Sequence, residues 1–234
     1  MVQAGVIVAC DRDQEWLLPW WWRHYSSHSS YPVHFIDFGM SSEGVSWCKE
    51  RGSYEPLVGF DHFHEHPVED EQRKIWETEI SSIFDFRRTY FKKPFALIQS
   101  PFDLTIWLDL DCQLIGPLDP LFTVLHMGVD FSVKPQGKGY SAGVIAFRKD
   151  STTLKAWFEE INRRNELYIH DEQALERFQI TWPLPEIYNW NPLHGENLQA
   201  VVLHYQGGFL KQELRRIIAK DPSLSYHQSG KMDL

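Results

Sequence analysis

Apolar positions along the chain follow two rhythms that alternate at the start. The runs "GVIVAC" (5–10) and "YPVHFIDFG" (31–39) are short, β-rich and bounded by polar residues, so both read as buried strands. Helical periodicity occupies 14–28, with Pro19 near the first turn, and 41–52, with Ser41 or Ser42 as cap and Gly52 past the end. A β-α-β-α opening predicts an α/β protein with a parallel, doubly wound sheet. A long helical segment over 69–90 and a short helix over 94–102 then lead to a strand over 104–111. The next helix takes Asp119 as N-cap and Pro120 as its first residue. Strands over 131–135 and 142–149, helices over 151–167 and 171–178, a strand over 200–205 and a helix over 210–221 complete the pattern. No repeat or linker-like tract interrupts it, so 1–234 reads as a single domain.

Composition narrows the function. Net charge is −9, and no Lys/Arg block stands out, which argues against nucleic acid or an anionic membrane as partner. No window reaches the length of a transmembrane segment. Three widely spaced cysteines, Cys10, Cys48 and Cys112, fit free thiols in a reducing compartment, so the expected localisation is cytoplasmic.

The candidate chemistry lies in "TIWLDLDCQL" (105–114). Two unpaired carboxylates at the end of an apolar run are costly unless something compensates them. Asp109 and Asp111 are alternate residues that project together near the carboxyl end of a strand, where open α/β sheets bind ligands. Mg²⁺ and Mn²⁺ take one or two such carboxylates and complete their shell with substrate phosphates and water. A bare D-x-D also arises when one Asp caps a turn and the other is solvated.

"IWLDLDCQLIGPLDPLF" resembles the D-x-D region of GT-A glycosyltransferases, which act on nucleotide-diphospho-sugars. Four further segments resemble that family in the family's order: "VIVACDRD", "KKPFALIQSPF", "YSAGVIAFRK" and "HDEQAL". A fifth, "HYQGGFLK", is similar to the late H-x-x-G-x-x-K motif of the glycogenin and lipopolysaccharide galactosyltransferase group. The resemblance implies a Rossmann-like, mostly parallel central sheet with helices on both faces. It implies a nucleotide-binding half over about 1–112 and a sugar- and acceptor-binding half over about 113–234.

It further implies Mn²⁺ or Mg²⁺ held by Asp109, Asp111 and His204, and a nucleotide-sugar donor, uridine-based by the same resemblance. Asp11 would meet the base, Lys93, Gly207 and Lys211 the diphosphate, and Ser141, Asn189 and Asn191 the sugar. Asp171 and Glu172 would lie near the reacting carbon. The acceptor (glycan, lipid, protein or small molecule) is left open. Lys211 follows His204 by seven residues rather than six, and Glu172 directly follows Asp171, so retention or inversion stays open too.

Other motifs compete. "GYSAG" (139–143) fits G-x-S-x-G, but a nucleophile elbow needs a strand before the serine and a helix after it, and here a strand follows. Haloacid-dehalogenase-type phosphatases also use D-x-D, yet the Thr or Val they expect after it is missing. A nucleotidyltransferase would show a Gly-rich basic signature after the first strand, absent from "ACDRDQEW"; a catalytically silent sugar-nucleotide binder remains the other alternative. "DHFHEH" (61–66) reads as a polar loop or edge strand rather than a zinc site.

Overall fold

Buried side chains alternate along the first strand, β1 (Ala4–Cys10), and set the layering. Val6 and Val8 enter one hydrophobic cluster and Ile7 the other, because successive strand residues point to opposite faces. The structure, a computed structural model, describes residues 2–224; Met1 and residues 225–234, which the expected domain includes, lie outside the described residues.

From β1 a single 3-10 turn leads into α1 (Leu18–His28), with Pro19 in its first turn, followed by β2 (Val33–Asp37) and α2 (Ser42–Lys49). Ser41 caps α2, its hydroxyl accepting from the Gly44 amide at 3.1 Å. β3 (Ser53–Pro56) was not expected, since "SYEP" lacks a β-branched run.

The helix expected over 69–90 is two, α3 (Asp70–Glu79) and α4 (Ile83–Tyr90), broken at Ser82, whose φ is 61°. Adjacent serines compete locally for backbone partners and favour such a break. α5 (Lys92–Ile98) begins two residues earlier than expected, which leaves Pro94 in its first turn.

β4 (Leu104–Leu108) ends before the acidic pair, because a turn follows in which the Cys112 amide donates to the Asp109 carbonyl at 3.0 Å. β5 (Cys112–Leu114) comes next. In α6 (Asp119–His126) Leu118 occupies the cap and Asp119 is already helical, its carboxylate accepting from the Tyr31 hydroxyl at 3.1 Å.

β6 (Phe131–Gln136) and β7 (Gly139–Arg148) form a hairpin, so Ser141 lies inside a strand and no nucleophile elbow exists there. α7 (Thr152–Arg164), capped by Ser151, precedes α8 (Asp171–Leu175), whose cap position is His170. β8 (Val202–His204) and α9 (Gly208–Lys220) follow.

The six-stranded sheet has the order β3-β2-β1-β4-β7-β6. The first four strands run parallel, β7 joins antiparallel to β4, and β6 pairs antiparallel with β7. β5 and β8 make a separate antiparallel pair with Cys112 opposite His204. Residues of α1, α2, α6 and α9 cover one face; those of α5, α7 and α8 cover the other. The carboxyl ends of β1, β2 and β4 therefore open on one rim, where Asp11, Phe38 and Asp109 follow them. Among the described residues no helix is long and apolar enough to cross a membrane, and all three cysteines are buried and free.

One buried cation ties α4 to the body. Arg87 is 1% exposed, and it donates to the Tyr168 carbonyl through Nε at 3.0 Å and Nη2 at 2.9 Å. It also donates to Glu65 Oε1 at 3.0 Å and to the Asn165 carbonyl, with its guanidinium 4.7 Å from the Phe91 ring centre. Arg87→Ala strips donors from two carbonyls and leaves a void. We expect a loss of about 3 kcal/mol, a fall of roughly 6–12 °C in the thermal midpoint, checked by calorimetry.

Candidate functional site

The turn after β4 and the end of β8 build the site together. The Tyr205 amide donates to the Asp111 carbonyl at 2.9 Å, and the Asp109 amide to the Gly143 carbonyl at 2.9 Å, so the acidic pair is fixed between β8 and β7. Both carboxylates turn toward His204. Its Nε2 lies 3.4 Å from Asp111 Oδ1 and 3.9 Å from Asp109 Oδ2.

The other imidazole nitrogen reveals what Nε2 is for. Asn189 Nδ2 donates to the Ser141 carbonyl at 2.9 Å, which fixes its amide orientation and presents Oδ1 to His204 Nδ1 at 2.8 Å. Nδ1 must then be the protonated nitrogen, and in the neutral ring Nε2 is a bare lone pair aimed at two carboxylates. Such a grouping is stable only with a cation or a proton among them. The ring also needs space: a Cβ on Gly143 would come within 2.2 Å of His204 Cε1. Gly143 thus makes room for the imidazole.

Charges around this centre respond accordingly. Burial alone would raise the Asp111 carboxyl, but His204 and Lys211 beside it hold it far below the usual range. Burial raises Asp109, and Lys93 opposes that, its Nζ donating to Asp109 Oδ2 at 3.1 Å and to the Ala142 carbonyl at 3.0 Å. His204 is pushed up: burial lowers it, yet Asp111 more than compensates. Lys211 Nζ sits 3.3 Å from Asp111 Oδ2. The ligand atoms of Asp111, Cys112 and His204 lie within 4.8 Å of one another, but burial pushes the Cys112 thiol well up and it bonds the Gly143 carbonyl at 3.4 Å. Asp111 and His204 remain of that trio; Asp109, which accepts from Trp107 Nε1 at 2.6 Å and from Lys93, stands beside them, and together the three offer a donor set that fits a divalent cation of the Mn²⁺ or Mg²⁺ type.

A cleft of about 710 Å³ opens beside this centre. Asp11, Lys93, Asp109, Asp111, Asp171 and Glu172 line it, as do His204, Gly207 and Lys211. Asp11 holds the Gln14 amide at 3.0 Å through one oxygen. Gly207 has φ 91° and starts α9, so that helix directs its N-terminus at the cleft.

Asp171 is 3% exposed with Oδ2 buried and unbonded, and burial first, then Glu172 and Asp109 against the opposing Lys93, lift its carboxyl to about 7. One oxygen of Glu172 accepts from the Ala142 amide at 2.6 Å.

Three expected sugar contacts lie elsewhere. Ser141 and Asn189 are buried behind His204, and Asn191 caps a 3-10 turn by accepting from the Leu193 amide at 2.9 Å. The histidine-rich segment leaves a 3-10 turn (Phe60–His62) as a loop tied to Asn165, whose Nδ2 donates to the His64 carbonyl at 3.0 Å. The orienting role of Asn189, fifteen residues from its histidine, has no spacing signal in the sequence.

No protein-family model and no curated protein sequence matches the chain. Solved structures do. The galactosyltransferase LgtC, in complex with donor and acceptor sugar analogues, aligns over 87% of this chain and 87% of its own at a TM-score of 0.60 and 16% identity. The glycosyltransferase GlyE of Streptococcus pneumoniae TIGR4 aligns over 100% of this chain and 61% of its own, with TM-score 0.65 and 16% identity. Mouse xyloside xylosyltransferase 1 in its apo form gives 0.54 and 12%, over 87% and 98%. At such identities the likeness is one of fold. The chain has the GT-A fold of these glycosyltransferases.

Proposed function

We propose that this protein is a metal-dependent glycosyltransferase that moves a sugar from a nucleotide-diphospho-sugar, expected to be a UDP-sugar, to an acceptor hydroxyl. One observation carries the reading: His204, its ring held at Nδ1 by Asn189, turns Nε2 toward Asp111 and Asp109 at the mouth of a cleft on a GT-A fold. Asp109, Asp111 and His204 would hold the cation, and the imidazole favours the softer Mn²⁺ over Mg²⁺. When bound, the metal neutralises charge on the departing nucleoside diphosphate as a Lewis acid.

The chain's own groups do the rest. Lys211 and the amides at the start of α9 attract the diphosphate, and Lys93 holds Asp109 in place while adding positive charge. Asp11, which lines the cleft beyond β1, would meet the base. Asp171 and Glu172 face the sugar, and Glu172 can accept a hydrogen bond or stabilise positive charge at C1. We read 1–112 as the nucleotide half and 113–234 as the sugar and acceptor half of one domain, working in the reducing cytoplasm that free buried thiols suit.

The direct test is a thermal-shift panel of nucleoside diphosphates and nucleotide sugars with and without Mn²⁺. At a hundredfold excess over Kd, binding adds about 2.7 kcal/mol, or roughly 5–10 °C at this size. We expect that rise for at least one nucleotide, only with metal, and none in Asp111→Asn. An unresponsive panel, or an Asp111→Asn protein that responds like the wild type, refutes the assignment. NMR of the released sugar's anomer then reads retention or inversion.

Asn189→Leu is expected to fold but to weaken Mn²⁺ binding by about 10–100-fold, since the imidazole loses the partner that fixes its tautomer; calorimetric titration measures this.

The Asp171 carboxyl gives a signed pH effect. Its folded value, about 7, lies above the ordinary carboxyl range, so its stabilising protonated form is present in acid and is lost as pH rises through about 7. Replacement by Asn should therefore raise the thermal midpoint more at pH 8 than at pH 5. Equal shifts at both pH values would show that Asp171 is not held protonated.

A further inference from the structure

The histidine-rich loop takes no part in the cleft, and the fold gives it a partner that spacing along the chain does not reveal. From Phe63 the backbone is extended, so successive side chains alternate. Phe63 is buried, and Glu65 turns inward to Arg87, accepting from its Nη1 at 3.0 Å. His64 and His66 therefore share the outer face, with ring centres 5.5 Å apart. Glu166 reaches His66 from the 3-10 turn Asn165–Leu167 that follows α7. Its Oε2 is buried, makes no hydrogen bond, and lies 3.7 Å from His66 Nδ1. That separation is too long for a hydrogen bond, and a carboxylate oxygen withdrawn from water without a partner is costly.

We propose that His64, His66 and Glu166 form a second metal centre, a structural site for Zn²⁺. Imidazole and carboxylate are both zinc ligands, and two nitrogens with one oxygen suit zinc better than Mn²⁺ or Mg²⁺. With Zn–N bonds of about 2.0–2.1 Å, two imidazoles on one tetrahedral ion have ring centres roughly 5 Å apart, and neighbouring ligand atoms sit about 3.3 Å apart. The observed 5.5 Å and 3.7 Å are each a few tenths wider. The donor atoms of the three residues are not all within 4.8 Å of one another, so the exposed His64 ring turns about its χ2, a broad torsion, as the ion binds. Water would complete the tetrahedron.

The backbone is ready for this. Asn165, 0% exposed, clamps both histidines with one amide. Its Nδ2 donates to the His64 carbonyl at 3.0 Å, and its Oδ1 accepts from the His66 amide at 2.9 Å. Glu166 is the next residue, so the same clamp delivers the carboxylate. Inside the fold, Arg87 joins the same two segments through Glu65 and the carbonyls of Asn165 and Tyr168. Zinc would fasten from the solvent side what the guanidinium fastens from the core, just ahead of His170 and Asp171 on the chain. The site stands apart from the Asp109, Asp111 and His204 centre and does not depend on the glycosyltransferase reading.

The test isolates this site from the cleft. Untagged His204→Asn protein, in which the cleft has lost its imidazole, is titrated with ZnSO₄ by calorimetry. We expect one equivalent to bind, and the thermal midpoint to rise by roughly 5 °C at a hundredfold excess over Kd. MgCl₂ should produce no such rise. Adding His64→Ala, His66→Ala or Glu166→Gln should each weaken zinc binding at least tenfold, since losing a ligand costs no less than losing one of its outer partners. Circular dichroism confirms that each variant is folded.

No zinc binding, the behaviour of a plain ion pair between protonated His66 and Glu166, overturns the site. So does an affinity that stays unchanged in any one of the three variants.

Discussion

The placement of one imidazole against two carboxylates is the constraint on which the site depends. Two buried carboxylates alone repel one another, and such a cluster persists only where protons or cations relieve it, as His204, Lys93 and Lys211 do here. The surrounding structure enforces it all the same. Asn189 fixes the tautomer, Gly143 provides the space, and the antiparallel pairing of β5 with β8 sets Cys112 opposite His204, one residue from Asp111. A two-stranded sheet this short contributes little stability of its own. Its value lies in register: it brings a residue at position 204 to the turn after β4.

Much of the fold was legible because its signals are local. The strands that became β1 and β7 carry unbroken apolar runs, and the caps of α2 and α7 stand in the sequence as Ser41 and Ser151. The misses are equally physical. β3 and β5 are too short and too polar to announce themselves, and the double serine at 81–82 splits a helix that periodicity alone would continue. The acidic pair reads as strand by composition, but a turn between Asp109 and Cys112 takes it out of the ladder.

Of the site, part of the cleft lining was named from the sequence, while the wall from α4 and the residues behind the cleft were not. Asp109, Asp111 and His204 come together as the motif order suggested, with Lys93 and Lys211 alongside. Ser141 and Asn189 were read as sugar contacts, whereas here they form the support that orients the histidine. Both are polar residues in apolar or loop surroundings, a signal that something must satisfy them, but not which partner does. Asn191 shows the opposite error, a polar residue satisfied within its own turn.

On the proposed reading, charge arithmetic favours a cation in this cleft before a diphosphate enters. Seven carboxyl groups line it against two lysines. Even with Asp171 protonated and His204 charged, the balance is negative, and a diphosphate adds more of the same sign. Lys211 is already engaged by Asp111 and Lys93 by Asp109, so neither lysine is free to offset an incoming anion without exposing the carboxylate it now screens. The N-terminus of α9 offers only about half a charge. A divalent ion among Asp109, Asp111 and His204 would change this at one stroke: it would relieve the acidic pair, release Lys211 toward the phosphates and let His204 stay neutral. The ion and the anionic substrate would then bind with mutual reinforcement, each lowering the electrostatic cost of the other.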